Sequence, residues 1–303
     1  MSATARLPQA DPLYTRPLPE RPAYATGMLL DAADFTAEQT YHRGRLARAL
    51  ALATGGGTLA GLKVELETGS DGAPRLRVAP GAAIDRLGRL IELPRPACLR
   101  LPEWWAATAA SERLQACYPP LPATADSATP ARLVSVRCRD TATLPARALV
   151  ADVFLRFVAC PQGYTPSFAG GPYDALDAVA TARLRDAHEL LLVARGGLDI
   201  DRAALPGRGA DLAAIADPDA RSAAAAEAVF AAWPALADDG SLQPLAEHPD
   251  GIDVSAQFLA RLLIGVGPGN PPEPDWSLLV VDNWPRRFAP SAQLLQRWLG
   301  LNP

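Results

Sequence analysis

From Phe35 onward, apolar positions recur every three or four residues. Phe35, Leu46, Ala49, Leu50 and Ala53 share one stripe with the polar Gln39 and His42. That period places them on one face of an α-helix. Asp34 offers a carboxylate to cap the first turn. Arg43, Arg45 and Arg48 fall largely off the stripe, and Gly55-Gly56-Gly57 ends it. The pattern predicts an amphipathic helix over about residues 35–53. Past the glycines the period changes to two. Leu62, Val64 and Leu66 alternate with Lys63, Glu65 and Glu67, the mark of a half-buried strand. Gly69–Gly72 supplies a turn, Leu76 and Val78 return between Arg75 and Arg77, and Pro80-Gly81 and Leu87-Gly88 punctuate Ala83-Ile84 and Leu90–Leu93. Turns this closely spaced indicate antiparallel strands, not a βαβ unit.

The remaining chain is less regular. Residues 94–130 read as irregular, with Trp104-Trp105 in a short helix that anchors a loop. Strand-like runs occupy 133–138, 153–158 and 184–193, with a Gly/Pro/aromatic loop over 159–180. Asp217-Pro218 opens an Ala-rich helix running through Val229, Phe230 and Trp233 to Pro234, a helical insertion at about 209–238. Leu262–Ile264 and Leu278–Val281 suit buried strands, and Ser291 caps a last helix through Leu294, Leu295, Trp298 and Leu299. The predicted fold class is mainly β (α+β): an antiparallel β-sandwich-like unit preceded by a long N-terminal helix, with an Ala-rich helical insertion and a C-terminal helix. The predicted divisions are a Pro-rich extended arm over 1–25, a helix plus β-hairpin domain over 26–130, and a second β-rich region over 131–303. Five prolines between Pro8 and Pro22 favour extended backbone in the arm, a loose tail or a strap across a neighbour.

Composition narrows the function classes. The chain has 303 residues, 49% of them hydrophobic, and a net charge of -4, which excludes bulk disorder and a nucleic-acid binder that works by positive charge. No apolar run is long enough to span a membrane, and the N-terminus carries no signal-peptide core, so synthesis in the cytoplasm is expected. Cys98, Cys117, Cys138 and Cys160 form no CxxC pair and read as buried thiols. His42, His188 and His248 make no HxxxH or HExxH spacing, and His42 reads as a core or interface residue. No GxSxG elbow is present; Gly265–Gly269 lacks the phosphate-loop ending and contains Pro268; Asp199 and Asp201 read as a solvated turn. The residues therefore predict no enzyme, no cofactor and no metal.

One stretch is more specific. Gly27-Met28-Leu29-Leu30 followed by Asp34-Phe35, Glu38-Gln39 and Tyr41-His42 resembles the N-terminal signature of phage-tail-like baseplate and tail proteins of contractile injection systems. Gly55–Gly57, Gly61–Val64, Pro80–Asp85 and Gly88–Ile91 are similar to that family's later motifs, and Asp282-Asn283 with Arg286-Arg287 to a looser one. A more distant likeness joins Gly27–Tyr41 to the type VI secretion baseplate subunit, whose N-terminal domain is similar to receptor-binding-protein shoulders. The resemblance implies a β-rich structural connector, trimeric in its relatives, assembled with baseplate, spike or fibre proteins, with no catalytic residue. A particle-associated adhesin or carbohydrate reader is the alternative, and a cargo enzyme a more remote one. Gln39 and His42 within an apolar stripe point to a seam between copies, since buried polar groups need specific partners. The expected interface residues are Met28, Phe35, Gln39, His42, Leu46 and Leu50.

Overall fold

The computed structural model describes residues 11–15, 17–109, 133–166, 179–195, 204–207, 211–233, 236, 240–267, 273–298 and 300. The fold is α+β with antiparallel sheets, 37% strand against 28% helix, so strands carry the architecture.

Helix α1 (Ala32–Thr54) starts three residues before the predicted point. Asp31, not Asp34, is its N-cap: the Asp31 carboxylate accepts from the Ala33 and Asp34 N–H groups at 2.8 and 3.2 Å. Asp34 answers by accepting from the Asp31 N–H at 3.0 Å, a reciprocal box that satisfies the first turn. Gly55 closes the helix, its N–H donating to the Ala51 carbonyl at 3.0 Å.

The chain then alternates between two small sheets. Strands β1 (Gly57–Gly61), β4 (Gly81–Ile84) and β5 (Leu90–Leu93) pair in the order β1-β4-β5. Strands β2 (Val64–Thr68), β3 (Pro74–Val78) and β6 (Ala97–Arg100) pair as β2-β3-β6. The predicted single strand from Leu62 breaks because Leu62 has a left-handed φ of 57° and is fully buried. Gly61 makes the crossing possible: a Cβ there would lie 1.9 Å from the Pro80 carbonyl oxygen. Val64 points inward after the crossing, while Leu66, expected to be buried, is exposed.

The third sheet contains β7 (Ala148–Pro166), β8 (Val179–Arg195), β9 (Gln257–Val266) and β10 (Pro274–Asp282), ordered β10-β9-β7-β8 and antiparallel throughout. The 159–180 loop prediction is corrected at both ends, since β7 runs to Pro166 and β8 begins at Val179. Prolines fit there because β9 accompanies β7 only as far as Leu155, leaving one edge of β7 unpaired. The distal part of the strand pair is a two-stranded ribbon, exposed over residues 161–165 and 180–186.

Of two further elements, one is the short helix expected at Trp104-Trp105 and the other replaces a predicted strand. Helix α2 (Leu101–Ala109) contains both tryptophans: Trp105 meets Trp276 edge to face at 5.9 Å, and Trp104 Nε1 donates to the Leu192 carbonyl at 2.8 Å. They anchor the helix to the large sheet. The predicted strand over 133–138 is mostly helix α3 (Val136–Thr141), because Ser135 caps it and accepts from the Cys138 N–H at 3.2 Å. The insertion forms α4 (Pro218–Phe230), with the Asp217 carboxylate accepting from Ala220 N–H at 2.9 Å. The last helix is α5 (Ala292–Trp298), where Ser291 Oγ accepts from Leu294 N–H at 3.3 Å. Pro234 and Leu299 lie outside the described residues.

One apolar cluster joins Leu62, Val78 and Ile91 to Leu149, Leu155 and Leu262. The helix-and-hairpin region and the large sheet thus share a core. Inside the large sheet, Asp152 accepts a bidentate pair from Arg261 at 2.7 and 2.9 Å, with Arg195 Nε 3.5 Å away; all three are buried.

Candidate functional site

Helix α1 has two different faces. Its body-facing side contains Tyr41, Gly44, Ala47, Arg48 and Ala51, of which Ala47 is fully buried. The small residues allow close approach. Gly88, at φ +89°, brings the 85–89 turn so near that a Cβ on it would lie 1.6 Å from the Ala47 carbonyl oxygen. The predicted stripe lies on the other side. Phe35 is 53% and Leu46 64% exposed, Gln39 and His42 are exposed, and Met28, ahead of the helix, is 42% exposed. Leu50 alone of the six expected interface residues is half-buried. His42 is therefore no core residue; it stands 3.7 Å from Glu38 one turn earlier and edge-on to Tyr41. The helix brings four of the six together on an open face and leaves Met28 and Leu50 at its margins.

The arm is partly fixed to its own chain. Residues Pro12–Thr15 form a 3-10 turn with Leu13 buried, so this part is not extended. Asp11 bridges Arg43 at 3.2 Å and Arg89 at 2.9 Å. Arg89 also donates to Asp85 at 2.6 Å and Ser255 at 2.8 Å and lies over the Tyr14 ring. Tyr14 donates its hydroxyl to Asp253 at 2.6 Å. Burial raises the Tyr14 hydroxyl, reinforced by Asp253. Burial acts upward on the Asp253 carboxyl too, but hydrogen bonds from Ser255 and Tyr14 hold it below its ordinary value. Burial raises the Asp85 carboxyl against the pull of Arg89. Pro8 and the rest of residues 1–10 lie outside the described residues.

The Asp282-Asn283 and Arg286-Arg287 motif joins the C-terminal region to the small sheets. Asn283 pairs with the Val64 backbone like a strand neighbour, accepting its N–H at 2.9 Å and donating to its carbonyl at 2.8 Å. Arg286 donates to the Leu62 carbonyl at 2.6 Å, beside the backbone crossing, and burial lowers its guanidinium to about 10. Asp282 accepts from the Ser135 N–H and hydroxyl at 2.6 and 2.8 Å and so holds the cap of α3. Arg287 pairs with buried Glu247. Sequence pattern marked these residues without indicating their partners, which for Asn283 and Arg286 lie more than two hundred positions away.

Between the arm, α1 and the segment after α4 lies a cavity of about 510 Å³. Its wall includes Leu13, Leu52, Trp233 and Leu245 together with Arg45, Arg48, Arg86 and Arg287. Periodicity could not reveal it, since its walls come from six separate stretches of the chain.

The remaining candidates are dispersed. His188 Nδ1 donates to the Glu92 carbonyl at 3.0 Å. His248 is buried; its Nδ1 accepts from the Leu245 N–H at 3.0 Å, so Nε2 carries the proton and donates to the Ala256 carbonyl at 3.1 Å. Burial lowers its pKa, which keeps the ring neutral. Cys138 is buried, with its thiol pushed up to about 12 by desolvation and then by Asp282; Cys98, expected to be buried, is exposed, and Cys160 is half-buried. Cys117, Asp199, Asp201, Pro268 and Gly269 lie outside the described residues. Among the described residues, no helix is long and apolar enough to cross a membrane, and no three of His, Cys, Asp and Glu come together as metal ligands. No family model matches the chain, and no curated protein matches it.

Proposed function

We propose that the chain is a structural subunit of a phage-tail-like contractile particle, a baseplate or fibre-connecting component that works by protein–protein assembly without catalysis. The carrying observation is helix α1: one face is clamped to the body by Gly88 and the arm, while Phe35, Gln39, His42 and Leu46 remain exposed on the other. An open apolar stripe with polar positions suits a seam that fixes register between subunits. The exposed distal part of the β7–β8 ribbon supports the same reading, because a two-stranded ribbon gains little stability alone and offers free edges to a partner. The motif resemblance supplies the particle type, and trimeric association with neighbouring baseplate, spike or fibre proteins follows from it.

The test is copy number in purified particles by quantitative mass spectrometry, with the position of α1 seen in the assembled particle. A multiple fixed by particle symmetry, with the stripe against another chain, is the expected result. Sub-stoichiometric amounts, or a stripe facing solvent in the particle, would overturn the proposal.

A further inference from the structure

The cavity beneath the arm has the size of pockets that take small organic ligands. Its lining includes Leu13 and Ala47, both buried. Among the described residues its charge is one-sided: four arginines line it and no aspartate or glutamate does. Two of these arginines are engaged. Arg287 pairs with Glu247, and Arg86 donates to the Gln243 and Val254 carbonyls at 2.8 and 2.7 Å.

Arg48 differs. Its guanidinium lies 4.6 Å over the Trp233 ring, and its Nη2 is buried without a hydrogen-bond partner. A buried charged donor of that kind is normally met by an acceptor. Beside it the wall is apolar, formed by Leu52, Trp233, Leu242 and Leu245. We infer that this cavity binds a small amphipathic carboxylate, its head accepting from Arg48 Nη2 and its apolar body lying along Leu52, Trp233 and Leu245. The planar guanidinium edge matches a carboxylate, and the volume of about 510 Å³ suits a short chain or ring. The site stands independently of any role in a particle.

Calorimetric titration of the full chain with sodium decanoate tests this, with decan-1-ol and decyltrimethylammonium as neutral and cationic matches. Decanoate is expected to bind saturably at one site, the alcohol about tenfold more weakly, and the cation not measurably. Arg48→Met keeps the apolar stem and is expected to weaken decanoate about tenfold while the chain still melts cooperatively. Should that variant not fold, Ala232→Trp at the exposed rim blocks the mouth and abolishes binding. Absent decanoate binding, equal binding of the alcohol, or undiminished binding by the folded variants would overturn the inference. So would tighter binding of acetyl-Leu-Asp-Phe-amide than of decanoate, which would assign the cavity to a protein segment.

Discussion

Helix α1 and strand β9 lie at opposite extremes of burial. Of the 23 residues of α1 only Ala47 is buried, whereas the first nine of the ten in β9 are. β9 has β7 on one side and β10 on the other, and apolar packing above and below. The helix is held at separated points: Arg43 to Asp11, Ala47 against Gly88, and Arg48 on Trp233. Stability resides in the large sheet, and the helix owes its position to a few clamps. That division leaves most of α1 open, and it fixes where substitutions matter.

The largest effect is expected at Asp152. Its carboxylate neutralises Arg261 in a fully buried setting, with Arg195 alongside. Asp152→Ala leaves buried guanidinium charge without its carboxylate and should cost about 3–5 kcal/mol, measured by urea denaturation. Cys138 gives a second readout. Its raised thiol should resist alkylation in the native protein and label readily in the variant, while Cys98 labels in both.

Next comes the junction between the two regions. Asn283→Ala removes two hydrogen bonds to Val64 and leaves that backbone unpaired at a part-buried position. A loss of about 2 kcal/mol is expected, by the same denaturation. Asn283→Asp, which keeps the acceptor and loses the donor, should recover part of it.

These sites mark the limit of what periodicity could read. The β-hairpins from Val64 to Leu93 were legible because one face is buried and the other wet, so the side chains alternate. The long helix was legible from its glycine stop and its stripe was read as a seam between copies, but the face that meets the body left no mark in the pattern. Gly44, Ala47 and Ala51 contribute little apolar signal, yet small residues let the body approach; large Phe35 and Leu46 signal strongly and face outward. Ser135 turned an apolar run into a helix through a contact with Asp282, far away in sequence. Pro161 looked like a loop residue because its tolerance depends on the absence of β9 beside it. The arm network and the cavity needed tertiary placement throughout.

The arm gives a smaller effect with a pH signature. Tyr14→Phe removes the bond to Asp253 and should cost about 1 kcal/mol at pH 7. Asp253 is held below its ordinary value, so its contribution is complete above the unfolded aspartate value and is lost as pH falls through the lowered one. The penalty of Tyr14→Phe should therefore fade below about pH 4. Asp85 works in the opposite sense: its raised carboxyl favours the folded state when protonated, and that share is lost as pH rises through its raised value. The comparison of variant and parent across pH cancels the Asp85 contribution and isolates the latch.

The smallest effect on the isolated chain is expected on the open face of α1, where the two regions differ most. Phe35→Ala and Leu46→Ala remove side chains that are 53% and 64% exposed, so little burial is lost and no large cavity forms. Alanine also favours helix. Each change should alter urea stability by less than about 0.5 kcal/mol, against about 3–5 kcal/mol for Phe154→Ala in the neighbouring sheet. His42→Ala should be equally silent, since its contact with Glu38 is an exposed one. If the face is a seam, the same three substitutions reduce incorporation into particles while the free protein melts as before. A stability loss at Phe35 comparable to that at Phe154 would show that α1 closes onto its own chain, and the contrast between helix and sheet would fail. Silent substitutions in both assays would place the seam elsewhere, with the β7–β8 ribbon the next surface to mutate.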